Sequence, residues 1–389
     1  MNRWMVCGLV GIVCVSLIAC DREQPQWDTS IYPPTEETTQ PPTVESEITD
    51  GTVVPAESTE NATSAPEVEP QEPTGYVSLP TTLYVEVGSE CRIYDRNVIS
   101  QADARLYPEE HAALTVLRED TYVSICPTEQ GRHTVRWEAR DSEGKTLDCG
   151  TVTVVAVEAD ASSITALVIG DSTVNAGVMT QTLLGLYAEK GGALTLLGTR
   201  GTAPNLHEGR GGWKARNYCE SRRDETYGEN PFYSERGFDF AGYMTAQGYG
   251  GVDAVVIQLG INDVFPFTQA SYNSAAALAS MEQIITSIHA YDSEIRIIVN
   301  LPPTPNSNGV GFQETYGEKQ QYEVYRYNII RYAAELRARF EERPNVTVAA
   351  TNCVLDTDVH IRDGVHPTTE GYEILARQLF EVMLAVASA

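Results

Sequence analysis

From about residue 163 onward, short, mostly apolar runs alternate with longer stretches of mixed polarity, and this rhythm restricts the fold more than any other feature of the chain. The runs are Ile164–Ile169, Ala193–Leu197, Val252–Leu259, Ile295–Leu301 and Val346–Ala350. Between and after them lie helix-compatible stretches, notably Ser274–Tyr291, Tyr322–Glu341 and Thr369–Ala387. A strand that is apolar on successive residues has no solvent face, so both of its faces must be covered. Strands of this kind separated by helix-length segments predict a parallel sheet with helices on both sides, a three-layer α/β/α sandwich. In such sheets, functional groups collect beyond the carboxyl ends of the strands.

Residues 76–158 follow a different period. Leu83-Tyr84-Val85-Glu86-Val87 and His133–Ala139 alternate, and Thr151–Val157 is rich in β-branched residues. Asp141-Ser142-Glu143-Gly144, between the last two, is a hairpin turn signal. Short alternating strands at this spacing predict a small all-β sandwich similar to bacterial Ig-like modules. It would serve as a spacer or as a carbohydrate-binding unit, and no candidate catalytic group falls within it.

The first residues, Met1-Asn2-Arg3, precede an apolar stretch from Trp4 to Ala19 and then Cys20. A basic start before an apolar run of this length reads as an export signal, residues 1–19. Leu17-Ile18-Ala19-Cys20 resembles the bacterial lipobox, which implies lipidation at Cys20. The expectation is an exported lipoprotein of the cell envelope, held to the membrane by its N-terminal lipid, with the folded part outside the cytoplasmic membrane. A plain signal peptide, or one membrane span with an incidental cysteine, is the alternative. Residues 20–75 are dominated by Pro, Thr, Ser and Glu and cannot bury enough apolar surface to offset their ordering entropy, so they read as a disordered tether. Thirteen acids and one base between Asp21 and Gly75 extend it by self-repulsion. A formal charge of −27 offers no counter-charge to a phosphate backbone, which excludes nucleic acid as a partner.

Five cysteines remain once Cys7 and Cys14 leave with the signal and Cys20 is lipidated: Cys91, Cys126, Cys149, Cys219 and Cys353. Their wide spacing, without CxxC, is a poor metal pattern. They are either buried free thiols or include one disulfide within the group Cys91, Cys126 and Cys149.

Four short blocks sit on this framework. Gly170-Asp171-Ser172 follows the first apolar run, and Glu208-Gly209-Arg210-Gly211-Gly212-Trp213 follows the second. Gly260-Ile261-Asn262-Asp263 follows the third, and Asp363-Gly364-Val365-His366 precedes the last helical stretch. A serine hydroxyl becomes a nucleophile when a neutral imidazole accepts its proton, and the resulting imidazolium needs a carboxylate beside it. Asp363 and His366 are close enough in sequence to meet within one loop turn. The carbonyl oxygen that gains charge needs preorganised donors. A glycine in the second block allows a backbone N–H to approach closely, and Asn262 offers an uncharged amide. Each block taken singly also has a structural reading: Ser172 as a helix cap, Gly211-Gly212 as a loop, Asn262-Asp263 and Asp363-Gly364 as turns. Their joint order carries the chemical one.

That order and spacing resemble the SGNH (GDSL-type) hydrolase superfamily across residues 163–389. The resemblance implies a flavodoxin-like α/β fold and a serine ester hydrolase that needs no cofactor and no metal. Ser172 would be the nucleophile, His366 the general base and Asp363 the group that orients it. The backbone N–H groups of Ser172 and Gly212 and the side chain of Asn262 would form the oxyanion hole. Thr173 stands where the namesake motif has leucine. His207-Glu208 occupies the region where the second block often begins with asparagine, which leaves Gly211 open beside Gly212 as the donor. Asp171 and Asp263 read as architectural, and His207, His289 and His360 as ordinary histidines, with His207 near enough to the second block to touch substrate. A metal set of His360, Asp363 and His366 is the alternative use of the last block.

In the exported setting the expected substrate is an acylated, most simply acetylated, carbohydrate, which makes the chain a candidate O-acetylesterase of extracellular polysaccharide. Trp213, Tyr218 and the segment Tyr227–Tyr233 either stack on sugar rings or pack an insertion. A second insertion, Pro302–Gly309, could wall the site. A lipolytic acylhydrolase or thioesterase would keep the same triad, and a non-catalytic glycan-binding lipoprotein would keep the fold without turnover.

Overall fold

The computed structural model describes residues 76–158, 160–306 and 309–387; the expected export signal, Cys20 and the expected tether lie outside the described residues. Seven strands come first and form two sheets. Thr82–Glu86 (β1), Arg105–Pro108 (β3), Gly131–Arg140 (β6) and Thr146–Val157 (β7) lie in the order β1-β7-β6-β3. Cys91–Tyr94 (β2), Leu114–Arg118 (β4) and Tyr122–Pro127 (β5) lie in the order β2-β5-β4, and a helical turn, Asp95–Val98 (α1), leaves β2. The period of two decides their faces: on β6, His133, Val135, Trp137 and Ala139 are buried while Thr134 and Arg136 are exposed. All five described cysteines are free thiols, and only Cys91 and Cys353 are buried.

The remainder is a mixed α/β fold. Its strands are Ile164–Gly170 (β8), Leu194–Leu197 (β9), Arg200–Thr202 (β10), Asn205–Gly209 (β11), Ala254–Gln258 (β16), Arg296–Asn300 (β17) and Val346–Ala349 (β18). Two small hairpins, Arg223–Asp224 with Gly228–Glu229 (β12, β13) and Tyr233–Ser234 with Gly237–Phe238 (β14, β15), are inserted before β16. The helices are Ser172–Asn175 (α2), Val178–Glu189 (α3), Ala215–Cys219 (α4), Phe240–Gln247 (α5), Ile261–Val264 (α6), Ala275–Tyr291 (α7), Val310–Tyr316 (α8), Tyr322–Phe340 (α9), Thr357–His360 (α10) and Thr369–Ala387 (α11). The strand order is β10-β11-β8-β16-β17-β18, parallel except for β10 against β11.

One edge of β8 is shared. β9 pairs with its first four residues, Ile164–Leu167, and β11 with its last two, Ile169 and Gly170. The second sequence block therefore leaves β11, not the apolar run at 193–197 from which it was expected to emerge.

Alternate residues of the central strands enter two separate cores. Leu167, Ile169, Val255, Ile257, Ile297 and Val299 share one with Met281, Ile284 and Ile288 of α7 and Ile330 and Leu336 of α9. Ala166, Val168, Val256 and Ile298 share the other with Leu183 and Leu186 of α3 and Leu375, Leu379 and Met383 of α11. Residues 375, 379 and 383 recur every fourth position, which puts them on one stripe of the helix.

The N-terminal sheets are fastened to the α/β part by buried polar side chains. Asn97 donates to the carbonyls of Cys353 and Leu355 at 3.2 and 2.8 Å and accepts from the Thr304 hydroxyl at 2.6 Å. The guanidinium of Arg326, on α9, donates to the carbonyls of Arg96, Ile99 and Ser100. Buried carbonyls stripped of their donors each cost about 1–3 kcal/mol. Asn97→Ala is therefore expected to lower stability by about 2–3 kcal/mol, with residues 76–387 unfolding in one urea transition. Two separate transitions in the wild type would show that the two parts do not depend on each other.

Candidate active site

The end of β8 places Ser172. Asp171 is fully buried and caps α2, its Oδ1 accepting the Thr173 N–H at 2.9 Å and the Thr173 hydroxyl at 2.7 Å. The cap is thus Asp171 and not Ser172, which stands at the first position of the helix. There its N–H is one of the donors that helix geometry leaves free, and its side chain is released from capping. The Ser172 Oγ lies 2.8 Å from His366 Nε2.

His366 comes from the loop before α11. Its Nδ1 is 2.8 Å from Asp363 Oδ2, and its backbone N–H donates to Asp363 Oδ1 at 2.9 Å. A carboxylate on Nδ1 requires the proton there, which leaves the Nε2 lone pair facing the serine hydroxyl. Burial alone would raise the Asp363 carboxyl, but hydrogen bonds from the His366 ring and from the backbone N–H groups of His366 and Val365 hold it below the usual carboxylate range. Asp363 is thus an anion at neutral pH, positioned to favour an imidazolium.

The second block turns beside this pair. Arg210 N–H donates to Gly170 O at 2.9 Å, and Trp213 N–H closes the turn on Arg210 O at 3.2 Å. Gly212, the third residue of the turn, has φ +73°, a value that L side chains avoid. Gly212 is exposed, and its N–H has no partner among the described residues. The Gly211 N–H, in contrast, donates to the Tyr227 hydroxyl at 2.9 Å, which leaves Gly212 as the free donor of the two. Asn262, on α6, spends one amide hydrogen on Trp213 O at 3.0 Å and keeps the other. The structure therefore gathers Ser172, His366, Asp363, Gly212 and Asn262 at the carboxyl ends of the strands.

Beneath the turn lies a buried ion pair, Arg210 to Glu208 at 2.7 Å, with both side chains no more than 1% exposed. Glu208 Oε1 also accepts the Tyr243 hydroxyl at 2.8 Å and the Thr199 N–H at 2.6 Å. The rings of Trp213 and Tyr218 lie 5.0 and 5.7 Å from the Arg210 guanidinium. Asp263 accepts the Ala215 N–H on both carboxyl oxygens at 3.2 Å, tying the third block to the start of α4, and burial pushes its pKa up to about 7.

Trp213, Tyr218 and Phe232 are fully buried. Phe232 stacks on Phe238 and Tyr243 with centroids 4.7 and 4.1 Å apart. These rings form the core of the insertion and are not sugar platforms; Tyr227 and Tyr233 alone of the aromatics singled out there keep partial exposure. His207 is buried too, so it is not a substrate contact. A cleft of about 330 Å³ lined by Ser162, Asp253, Glu294 and Arg296 opens at the amino ends of the strands, opposite the assembled groups.

The sequence model of the GDSL-like lipase/acylhydrolase family matches residues 168–374. No curated protein matches the chain. Among solved structures, it is similar to a carbohydrate esterase family 3 protein from Talaromyces cellulolyticus at 16% identity and TM-score 0.38, covering 58% of this chain and 99% of that one. A carbohydrate acetylesterase family member from Sinorhizobium meliloti matches at 15% identity and TM-score 0.35, covering 58% and 100%. A carbohydrate esterase family 2 enzyme with a carbohydrate-binding domain, from Corynascus, matches at 15% identity and TM-score 0.36, covering 81% and 93%.

Burial, with Arg200 and Arg210 nearby, depresses the His207 imidazole to about 4, and its Nδ1 accepts the Gly209 N–H at 3.1 Å. A histidine that stays neutral when folded gives stability that is present above its unfolded pKa of about 6.5 and is lost as pH falls toward 4, at about 1.4 kcal/mol per pH unit. Denaturant titrations at pH 7, 6, 5 and 4.5 are expected to show this slope in the wild type and a shallower one in His207→Gln. Equal slopes in the two proteins would rule out His207 as the source.

Proposed function

As the chain belongs to the GDSL-like lipase/acylhydrolase family, we propose that it is a serine esterase working through an acyl-enzyme on Ser172, and that its substrate is an O-acetylated extracellular polysaccharide. The observation that carries the reading is the line Ser172 Oγ, His366 Nε2, His366 Nδ1, Asp363 Oδ2, with both hydrogen bonds at 2.8 Å. His366 takes the serine proton as Oγ attacks the ester carbonyl, and Asp363 stabilises the imidazolium. The tetrahedral oxyanion is received by the N–H of Ser172, the N–H of Gly212 and the free amide hydrogen of Asn262. Collapse expels the alcohol with the proton from His366. Water, deprotonated by the same imidazole, then releases the acid and restores the serine.

The large apolar side chains exposed among the described residues, Tyr107, Leu117, Tyr233, Tyr291 and Val359, lie on five separate segments, which supports a short acyl group over a long chain. The polysaccharide half of the proposal rests on the export signal and Cys20, which would put the enzyme on the envelope, anchored by lipid through an extended tether. In this reading the parallel sheet and its helices form the three-layer sandwich of the family, and residues 76–158 form an Ig-like module.

The test is acetate release from a panel of acetylated polysaccharides. Wild type is expected to release acetate, and Ser172→Ala to lose at least about 10⁴-fold in kcat while keeping the wild-type melting temperature. Similar rates on acetyl and long-chain aryl esters, with no acetate from any glycan, would replace the proposal with a lipolytic acylhydrolase. No turnover of any short ester would leave a glycan-binding protein. Asn262→Ala is expected to cost about 10²–10³ in kcat with little change in KM. On the acid side, kcat/KM should fall as the general base is protonated; a flat profile between pH 5 and 8 would remove His366 from the role of base.

A further inference from the structure

Two adjacent glycines form the centre of the Arg210–Trp213 turn, and adjacent glycines are the most permissive pair the backbone offers. An oxyanion donor works only if it is already aimed before charge develops. The turn therefore needs an external restraint. Its ends are fixed by Arg210 N–H on Gly170 O, Trp213 N–H on Arg210 O, and Asn262 on Trp213 O. Between the ends, the bonded group is the Gly211 N–H, and its partner is the hydroxyl of Tyr227 at 2.9 Å.

That hydroxyl stands at the edge of the site. A methyl group added at Gly211 would lie 2.7 Å from Tyr227 Oη and 3.8 Å from Ser172 Cβ, so the phenol oxygen and the nucleophile flank the same point. Tyr227 is itself held firmly. Its ring meets Trp213 edge-on at 6.4 Å and carries the Arg200 guanidinium 4.8 Å from its centroid. Its N–H and that of Thr226 both donate to Asp224 Oδ1, at 3.3 and 2.9 Å, within the β12–β13 hairpin.

We infer that Tyr227 is a positioning residue: by accepting the Gly211 N–H it locks the Gly211–Gly212 turn in the conformation that points the Gly212 N–H at the oxyanion. The inference rests on the esterase reading above. It also gives the inserted hairpin a purpose, because the hairpin is what carries the phenol to the turn. The ring stack sets where the oxygen sits, and the oxygen sets the turn.

Tyr227→Phe removes the oxygen and retains the ring, its edge contact with Trp213 and its contact with Arg200. On a short acetyl ester the variant is expected to lose about tenfold or more in kcat, less than the about 10²–10³ lost with a whole donor, with KM within about twofold and an unchanged melting temperature. Amide exchange at Gly211 should accelerate in the same variant. Gly211→Ala supplies a second arm, since the new methyl collides with the Tyr227 oxygen. It should cost far more rate in the wild-type background than in the Tyr227→Phe background. A kcat within twofold of wild type, or a loss expressed in KM or in melting temperature, would overturn the inference. A wild type without any esterase activity would bring down the functional reading itself, whereas an active wild type beside an unimpaired Tyr227→Phe would bring down this inference alone.

Discussion

A single buried run of hydrogen bonds crosses the carboxyl ends of four parallel strands, and the position of the serine depends on it. The Thr351 hydroxyl donates to Asn300 Oδ1 at 2.6 Å, the Asn300 amide to Gln258 Oε1 at 2.5 Å, the Gln258 amide to Thr173 Oγ1 at 2.7 Å, and the Thr173 hydroxyl to Asp171 Oδ1 at 2.7 Å. Every step donates in the same direction, so each polarises the next, and the run ends on a carboxylate. All five groups are buried, where a missing partner would leave an unsatisfied polar atom. The run therefore fixes the ends of β8, β16 and β17 and the start of the loop after β18 relative to one another. Ser172 lies between two of its members. This also accounts for Thr173 in a place where the family's namesake motif has leucine: an aliphatic side chain could neither receive the Gln258 amide nor feed Asp171.

Ser172 and the proposed oxyanion donors have different supports. Ser172 is held by the run just described. Gly212 is held from the other side, by β11 and by the ion pair of Glu208 with Arg210. Removing two charges from water is expensive, and such a pair adds little net stability unless hydrogen bonds satisfy its remaining atoms. Here Tyr243, Thr199 and the Trp213 and Tyr218 rings surround it. Tyr218 also places its hydroxyl 2.7 Å from Gly170 O and 2.6 Å from Glu208 O, touching both strands where they diverge. The pair gives the second block one conformation at the point where it leaves the sheet, and the chemistry needs a fixed direction there.

Much of this was legible in the sequence, for a definite reason. Within the runs Ile164–Ile169 and Ile295–Leu301, residues 166–169 and 297–299 are apolar in succession because both faces of those strands are covered, and the strands formed within a residue or two of the runs. Helices α7, α9 and α11 began within one residue of the stretches that predicted them. β11 gave no such signal, since Asn-Leu-His-Glu-Gly is polar and pairs with β8 through only two residues. The reading of Trp213 and Tyr218 as open to either stacking or packing could not be resolved from spacing, because burial of an aromatic ring depends on which neighbours return to it. Tyr227 stood in the same aromatic segment, but its hydrogen bond to Gly211 spans sixteen positions, and no local pattern reports it. The assignment of the helix cap to Asp171 instead of Ser172 was accessible in principle: aspartate caps as well as serine does, and one residue earlier the cap leaves the serine free.

The N-terminal part of the fold supports the loops on the other side of the site, through α1. Asn97 binds Thr304, in the loop after β17, and the carbonyls of Cys353 and Leu355, in the loop after β18. From Leu355 the chain reaches Asp363 through α10 alone. The backbone N–H of Asn306 then donates to Gly364 O at 3.0 Å, and its amide to Ile361 O at 3.2 Å, so the loop after β17 also grips the segment carrying Asp363 and His366. Asn97 thus clamps together the two loops on which Asp363 and His366 depend. The hydrogen bond from Ser172 to His366 joins residues 194 positions apart, and a distance of that kind is kept only when both ends are tied to the same rigid body. On the serine side that body is the sheet. On the histidine side it is the sheet extended by the strands that precede it in the chain.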